Sequence, residues 1–418
     1  MAWHDNATIK RIDACRICGR NELVDLFSLG EQWVNDFVDK DQIESGVKCP
    51  IEIVMCPTCT LVQQRYTAPQ ELLYTKHYWY RSGVTQTMRD ALRDVTAKAE
   101  ELVDLKPGDV VLDIGSNDGT LLRSYSKPGL VRVGVEPAEN METYYKGTGK
   151  PWLIKGLWGD PNTRNELVDR CSTNPKVVTA CGMFYDLDDP NSFIADVAKV
   201  LHPDGLFIAQ LQCLRNTINV GDVGNFCHEH LEFYSLKSLD FLLGKHGLET
   251  FDIETNSVNG QSYRLYIQHK GGQRRISNRL MQAHHEEICL DQPEFYGPIF
   301  AHMEANKNLC VKFVTDAVKN GKRVWVYGAS TKGNVVLQWY GLDRKLIEGA
   351  AERSPEKFNK YTIGTGILIV PECEFRDENP DYAVVLPYAF LNEFMARESE
   401  WRKRGGKFIV PLPKFKVV

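Results

Sequence analysis

The chain has 418 residues, enough for two or three domains and a large buried core. Hydrophobic content of 43%, charged content of 25% and a formal net charge of -5 describe an ordinary globular composition and argue against a general nucleic-acid binder. No apolar run approaches the roughly 18 residues of a membrane helix, and the N-terminus "MAWHDNATIKRIDACRICG" has no apolar leader core, so a cytoplasmic protein without a membrane partner is expected.

Residues 1–70 are rich in cysteine and turn residues and read as a small module. "CRIC" supplies Cys15 and Cys18, and "CPTC" supplies Cys56 and Cys59. Two C-x-x-C knuckles can close a tetrahedral thiolate site. Four cysteine ligands leave no open position, so a structural zinc is expected. Twelve cysteines in a reducing compartment are otherwise thiols, and Cys49, Cys171 and Cys310 read as core residues.

The stretch from Thr67 to Leu105 reads as largely helical. From there strand-like runs alternate with helical patterns, with strands expected at 110–113, 131–136, 177–181, 206–211, 251–256 and 263–268. Such alternation implies a mostly parallel sheet with helices on both faces. A helical connector follows. "KRVWVYGASTKGN" then opens a second strand–turn–helix unit, and alternation continues through "DYAVVLPYAF" and "GGKFIVPLP". The expected fold is α/β, with a Rossmann-like domain over residues 71–275 and a second, C-terminal Rossmann-like domain over 276–418.

"GDVVLDIGSNDGTLLRSY" is a strand ending in an acid, a glycine turn and a helix start. Gly115 and Gly119 let the backbone approach a ligand, with Asp113, Ser116, Asn117 and Asp118 around them. The dinucleotide fingerprint G-x-G-x-x-G is missing. The next strand ends in Glu136, placed to hold a ribose diol. The set suits S-adenosylmethionine, whose sulfonium needs no phosphate cradle. These residues alone leave a nicotinamide oxidoreductase open.

"CRIC", "LFSLGEQWVNDF", "CPTC", "YWYRSGVTQTM", "LDIGSNDGTLL", "GVEPA", "CHEHLEFYS", "NGQSYRLYIQHKG", "YGASTKGN" and "GGKFIVPLP" occur in one order along nearly the whole chain. In this the chain resembles the S-adenosylmethionine-dependent nucleotide-sugar C-methyltransferases, which make branched deoxysugars such as tetronitrose, mycarose and noviose. The resemblance implies a zinc-binding N-terminal domain, a Rossmann-like methyltransferase domain and a C-terminal Rossmann-like domain that helps bind a dTDP- or GDP-linked sugar. A monomer is expected.

C-methylation beside a ketone needs a base for the α proton and a donor for the enolate oxygen. "HEH" offers His230 as base, Glu229 as its helper and His228 as a neighbouring donor. In an extended segment the two histidines would point the same way. H-E-H is not a zincin motif, and a polar loop of hydrogen-bonding histidines is the plain alternative. The resemblance carries over to His230 and Glu229. It also implies that Tyr78 and Tyr80 close over the site, Tyr80 with a catalytic part, and that Asn259 and Ser262 line the sugar pocket. Gly328, Ser330, Lys332, Gly333 and Asn334 of the second turn would hold the diphosphate. The chain departs from the family at two places of proposed chemistry: Cys227 stands where the family has tyrosine, and Asp186 where it has a second histidine. The departure keeps two rivals in play: an O-methyltransferase on a sugar nucleotide or glycoside, and a binding protein that retains the fold without turnover.

Overall fold

The computed structural model describes residues 8–69, 71–75, 79–256 and 262–418. Tyr78 and Asn259 lie outside the described residues.

A seven-stranded sheet forms the centre. Its spatial order is Leu248–Asn256, Ser262–His269, Leu206–Gln212, Val177–Cys181, Val110–Ile114, Val131–Glu136 and Trp152–Lys155. Ser262–His269 runs antiparallel to both neighbours, and the other contacts are parallel. The central strands are apolar without alternation because helices cover both faces, and every residue of Val110–Ile114 is buried. After Val110–Ile114 the chain builds outward on one side, then returns to build on the other. The strand order therefore reverses between Val110–Ile114 and Val177–Cys181, where open α/β sheets bind ligands. The expected strands are all present. Trp152–Lys155, short and half-exposed at the edge, gave no pattern in the sequence.

The stretch read as largely helical holds two short helical pieces, Glu71–Thr75 and Ser82–Val84, and one long helix. One helix, Gln86–Leu102, carries the apolar face Leu92, Val95, Thr96 and Ala99, spaced to bury one stripe. Thr85 caps it by accepting from the Met88 amide at 3.3 Å. Just before it, residues 79–85 run as a strap of extended backbone and one short turn.

The N-terminal residues are less separate than the sequence suggests. Val24–Trp33, Lys48–Met55 and Val62–Gln64 form an antiparallel sheet whose fourth strand, Glu232–Phe233, comes from beyond the central strands. Phe37–Val38 pairs with Tyr361–Thr362 of the C-terminal part. Leu29, Ile51, Ile53 and Met55 share one core with Phe226, Phe233, Val335 and Leu337. The small sheet has too little apolar area to form a core alone and borrows one from both neighbours.

The C-terminal sheet runs Ile369–Pro371, Ala350–Glu352, Val324–Tyr327, Tyr382–Val385, Lys407–Val410 and Lys416–Val417, parallel except for the last strand. Its helix Thr331–Tyr340 reaches the N-terminal sheet, where Gln338 exchanges two hydrogen bonds with the backbone of Trp33. Among the described residues no helix is long and apolar enough to cross a membrane.

Candidate functional site

The four knuckle sulfurs lie within 4.8 Å of one another. Cys15 and Cys59 approach to 3.4 Å, as do Cys18 and Cys56. Each knuckle closes on a left-handed residue, Gly19 at φ 73° and Thr60 at φ 61°, whose amide donates back to the first cysteine's carbonyl. A tetrahedral ZnS4 site with 2.3 Å bonds sets sulfurs about 3.8 Å apart, so this donor set fits zinc and leaves no catalytic position open. The module is bolted to the central domain. Arg16, inside the first knuckle, donates to the Gln64 carbonyl and Thr67 Oγ1 and stands 3.6 Å from Asp188 and 3.7 Å from Glu232.

The glycine turn follows Val110–Ile114 at the strand-order reversal. Gly115, Asn117 and Gly119 all have positive φ. The amides of Gly115 and Ser116 bond the Val135 carbonyl, and the Asn117 amide donates to Glu136 Oε2 at 2.8 Å. A Cβ on Gly115 would meet Met183 at 2.7 Å, and one on Gly134 would meet Ser116 Oγ at 2.5 Å. Tyr145 donates to that Ser116 oxygen at 2.6 Å. Glu136, buried at the end of its strand, also accepts from the Ala138 amide. A carboxylate offers about four acceptor sites, so Glu136 keeps capacity for a ribose diol. The turn and Glu136 thus fit S-adenosylmethionine. The helix after the turn, Thr120–Arg123, is a single turn, so the fit rests on the loop rather than on a helix dipole.

Two residues of the set serve the turn without facing outward. Asp113 points into the sheet and accepts from Thr179 Oγ1 at 2.6 Å; burial pushes its carboxyl up to about 7. Asp118 is a latch. Its Oδ2 accepts from the Gly83 amide, and its Oδ1 from the Thr120 amide and hydroxyl. Asn117 likewise grips the strap, accepting from the Ser82 amide and donating to the Tyr80 carbonyl. Tyr80 is therefore held by its backbone, with its residue surface 42% exposed. Outside this latch a cleft of about 390 Å³ is lined by Arg81, Arg89, Arg93 and Arg123 with Tyr144.

The H-E-H segment is a turn, not a strand, and its histidines diverge. His228 Nε2 bonds the Cys49 carbonyl at 2.9 Å, which removes it as a donor beside His230. His230 Nδ1 bonds the Asn225 carbonyl at 2.9 Å. A carbonyl only accepts, so Nδ1 carries the proton and Nε2 the lone pair. Burial, with the Lys332 ammonium nearby, holds His230 well below the usual imidazole range and keeps it neutral. Its ring meets Tyr185 edge-on at 4.5 Å between centroids.

Glu229 accepts from Asn35 Nδ2 at 3.0 Å, and Asn35 Oδ1 accepts from Asn334 Nδ2 at 2.7 Å. Three parts of the chain thus meet through one relay. The sequence reading missed Asn35; its only signal is its place in "EQWVNDF" between the knuckles. Asp186 stands at the same junction, 8% exposed, with Oδ1 unpartnered; burial and then Glu229 push its carboxyl well up. Burial likewise keeps Cys227 a thiol.

Four backbone amides of the second turn, expected to hold a diphosphate, are engaged within the fold. The Gly328 amide bonds Ala351, the Ala329 amide bonds Glu352, the Gly333 amide bonds Ser330 Oγ and the Asn334 amide bonds the Ser330 carbonyl. Those donors are engaged in holding the turn. The Lys332 charge acts on His230 and Asp186, and Asn334 Nδ2 donates to Asn35 Oδ1. Ser262 is buried in its strand, opposite Gln212.

Comparison with known proteins agrees in order and extent. Residues 15–74 match the model of a "Putative zinc binding domain", residues 84–252 that of a "Methyltransferase domain", and residues 257–413 that of a "C-methyltransferase C-terminal domain". The C-methyltransferase NovU of Streptomyces niveus is 27% identical over 414 residues, 98% of each chain. Among solved structures, magnesium protoporphyrin IX methyltransferase of Synechocystis PCC 6803 with bound S-adenosylmethionine aligns at 14% identity. It has a TM-score of 0.31, over 44% of this chain and 78% of its own. An S-adenosylmethionine-dependent methyltransferase of Clostridium acetobutylicum aligns at 14% identity and a TM-score of 0.34, over 44% of this chain and 92% of its own. The chain is an S-adenosylmethionine-dependent methyltransferase whose three parts match, in order, a zinc-binding domain, a methyltransferase domain and a C-methyltransferase C-terminal domain.

Proposed function

We propose that the protein methylates a nucleotide-linked keto-deoxysugar at a carbon beside its ketone. One observation carries the reading. His230 is buried, neutral and fixed by Asn225 so that Nε2 presents a lone pair, the form a general base requires. The surrounding groups suit a polyhydroxylated ligand. Asp186 Oδ1, Glu229 Oε2, Asn225 Oδ1 and Asn334 Oδ1 are buried acceptors without a hydrogen-bond partner among the described residues. Sugar hydroxyls would satisfy them.

In this reading the glycine turn and Glu136 hold S-adenosylmethionine, which supplies an electrophilic methyl group on sulfur. His230 Nε2 takes the α proton. Asn225 keeps the imidazole oriented, and Glu229 is steadied through Asn35. The relative NovU is called a C-methyltransferase, which favours carbon over oxygen as acceptor. The strap is fastened to the cofactor turn through Asn117 and Asp118.

Proton exchange in heavy water tests the proposal. The protein is mixed with dTDP- and GDP-linked 4-keto-6-deoxyhexoses and S-adenosylhomocysteine, so that methylation is blocked. Loss of the NMR signal at C3 or C5 shows a working base and identifies the carbon. His230→Ala should abolish exchange and leave S-adenosylhomocysteine affinity within a few-fold. Wild-type exchange in that variant would remove His230 from the mechanism. No exchange by the wild type would favour a hydroxyl acceptor.

A further inference from the structure

A base alone leaves the carbonyl oxygen uncompensated. When His230 takes the α proton, the C–H electron pair enters the new C=C bond. The carbonyl π pair moves onto oxygen, giving an enolate with full negative charge. That charge returns through carbon when the methyl group is captured and the C–S pair leaves with sulfur. In a buried site the transient anion needs a fixed donor or cation.

The family position for such a donor holds Cys227, a buried thiol, and His228 is turned away to Cys49. Among the described residues the junction offers Lys332 as a cation. Lys332 lies in the first turn of the helix Thr331–Tyr340, from the C-terminal domain. Its backbone sits directly on the segment that orients the base. A Cβ on Gly224 would be 2.9 Å from the Lys332 carbonyl oxygen and 3.4 Å from Lys332 Cβ. The next residue, Asn225, holds His230. Lys332 is half-buried, and among the described residues its ammonium has no hydrogen-bond or ion-pair partner. Its charge is felt by His230, Asp186 and Cys227, three buried groups from two segments. Asp186 presents an unpartnered oxygen at the same place.

We infer that Lys332 is a catalytic residue, whose ammonium receives the negative charge developing on the substrate's carbonyl oxygen as His230 removes the neighbouring proton. The inference rests on the proposed enolate chemistry and takes it further. The C-terminal domain completes the reacting centre, and the site is assembled only when its helix is docked on residues 223–225.

The test compares Lys332→Gln, Lys332→Met and Lys332→Arg with the wild type in the heavy-water exchange assay, at saturating dTDP- or GDP-linked 4-keto-6-deoxyhexose. Folding is checked by zinc content and S-adenosylhomocysteine affinity. Removal of one oxyanion donor typically costs about 100- to 1000-fold. A loss of that size in the Gln and Met variants, with sugar-nucleotide affinity within a few-fold, is expected, and Lys332→Arg should recover part of the rate. Exchange at the wild-type rate under saturation, with only a raised half-saturation concentration, would overturn the inference and make Lys332 a binding residue. If Lys332→Met loses its zinc or cofactor binding, Lys332→Gln decides, because it keeps the polar stem. Absence of exchange in the wild type is a different failure: it removes the enolate reading, and the inference with it.

Discussion

Asn35→Asp is the sharpest probe of the relay across the three domains. The change keeps size and shape. The Asn334 amide can still donate to the retained oxygen, as it does at 2.7 Å. The group facing Glu229 Oε1 at 3.0 Å turns from donor to acceptor. Two carboxylates at that separation repel by about 5 kcal/mol at an effective dielectric of 20, equivalent to about 4 pKa units. Both side chains are only half-buried, so solvent screening should reduce this to about 2 units. The variant then binds a proton between the two oxygens that the unfolded chain releases in the ordinary carboxylate range. A raised folded-state pKa gives stability that is present at low pH and lost as pH rises through the raised value. The variant should approach wild-type stability near pH 3, trail by about 1 kcal/mol near pH 5 and fall behind by about 2–3 kcal/mol at pH 8. Denaturant midpoints of both proteins across that range measure the gap, and heavy-water exchange should fall in parallel. A gap independent of pH would mean that Asn35 and Glu229 do not face each other as described.

Three further outcomes follow from the same reasoning. Burial pushes Asp113 up to about 7, so its ionisation costs stability as pH rises from about 4 through 7. Asp113→Asn should flatten that loss and be more stable than wild type at pH 8 by a few kcal/mol, up to about 4; equal pH slopes in denaturant unfolding would refute this. Gly134→Ala places a Cβ 2.5 Å from Ser116 Oγ and should weaken S-adenosylhomocysteine binding about tenfold or more by calorimetry. Unchanged affinity would show that Ser116 and Tyr145 do not shape the cofactor turn. Cys56→Ser should abolish the one zinc per chain and cost solubility, whereas a soluble, folded, metal-free variant would refute a structural role for the metal.

Elements with a local signature were legible in the sequence. The buried strands announced themselves as unbroken apolar runs, the two knuckles as C-x-x-C, and the glycine turn through Gly115 and Gly119. Edge strand Trp152–Lys155 has little buried surface and left no pattern. Within the stretch read as largely helical, residues 79–85 form a strap whose Tyr80 carbonyl and Ser82 and Gly83 amides bond Asn117 and Asp118, a tertiary pairing that propensity does not report. His228 and His230 were read as parallel from the period of an extended strand, but the Cys227–His230 turn rotates them apart. Asn35 and Lys332 could not be joined to the base by spacing, because 195 and 102 residues of chain separate them from His230. What brings them together is a shared core, and no short motif encodes one.

The two Rossmann-like units differ in what the acid of each can still bind. Each has an acid at the end of its second strand, Glu136 and Glu352, and each acid accepts from the amide chain of its first turn. Glu136 takes two amide donors and has about two acceptor sites left. Glu352 takes three, from Ala329, Arg353 and Ser354, with Lys357 Nζ 3.8 Å away. Lys357 also donates to the Ala329 carbonyl and lies 4.7 Å over the Phe37 ring, so the N-terminal domain covers this acid. Glu352 has little capacity left for a ribose, and its bonds fix the turn from which Thr331–Tyr340 departs. In the first unit the acid keeps acceptor sites open at the sheet edge where α/β folds bind ligands. In the second it holds the helix that brings Lys332 and Asn334 to His230 and Glu229, and the nucleotide-binding plan has become a scaffold for completing the neighbouring site.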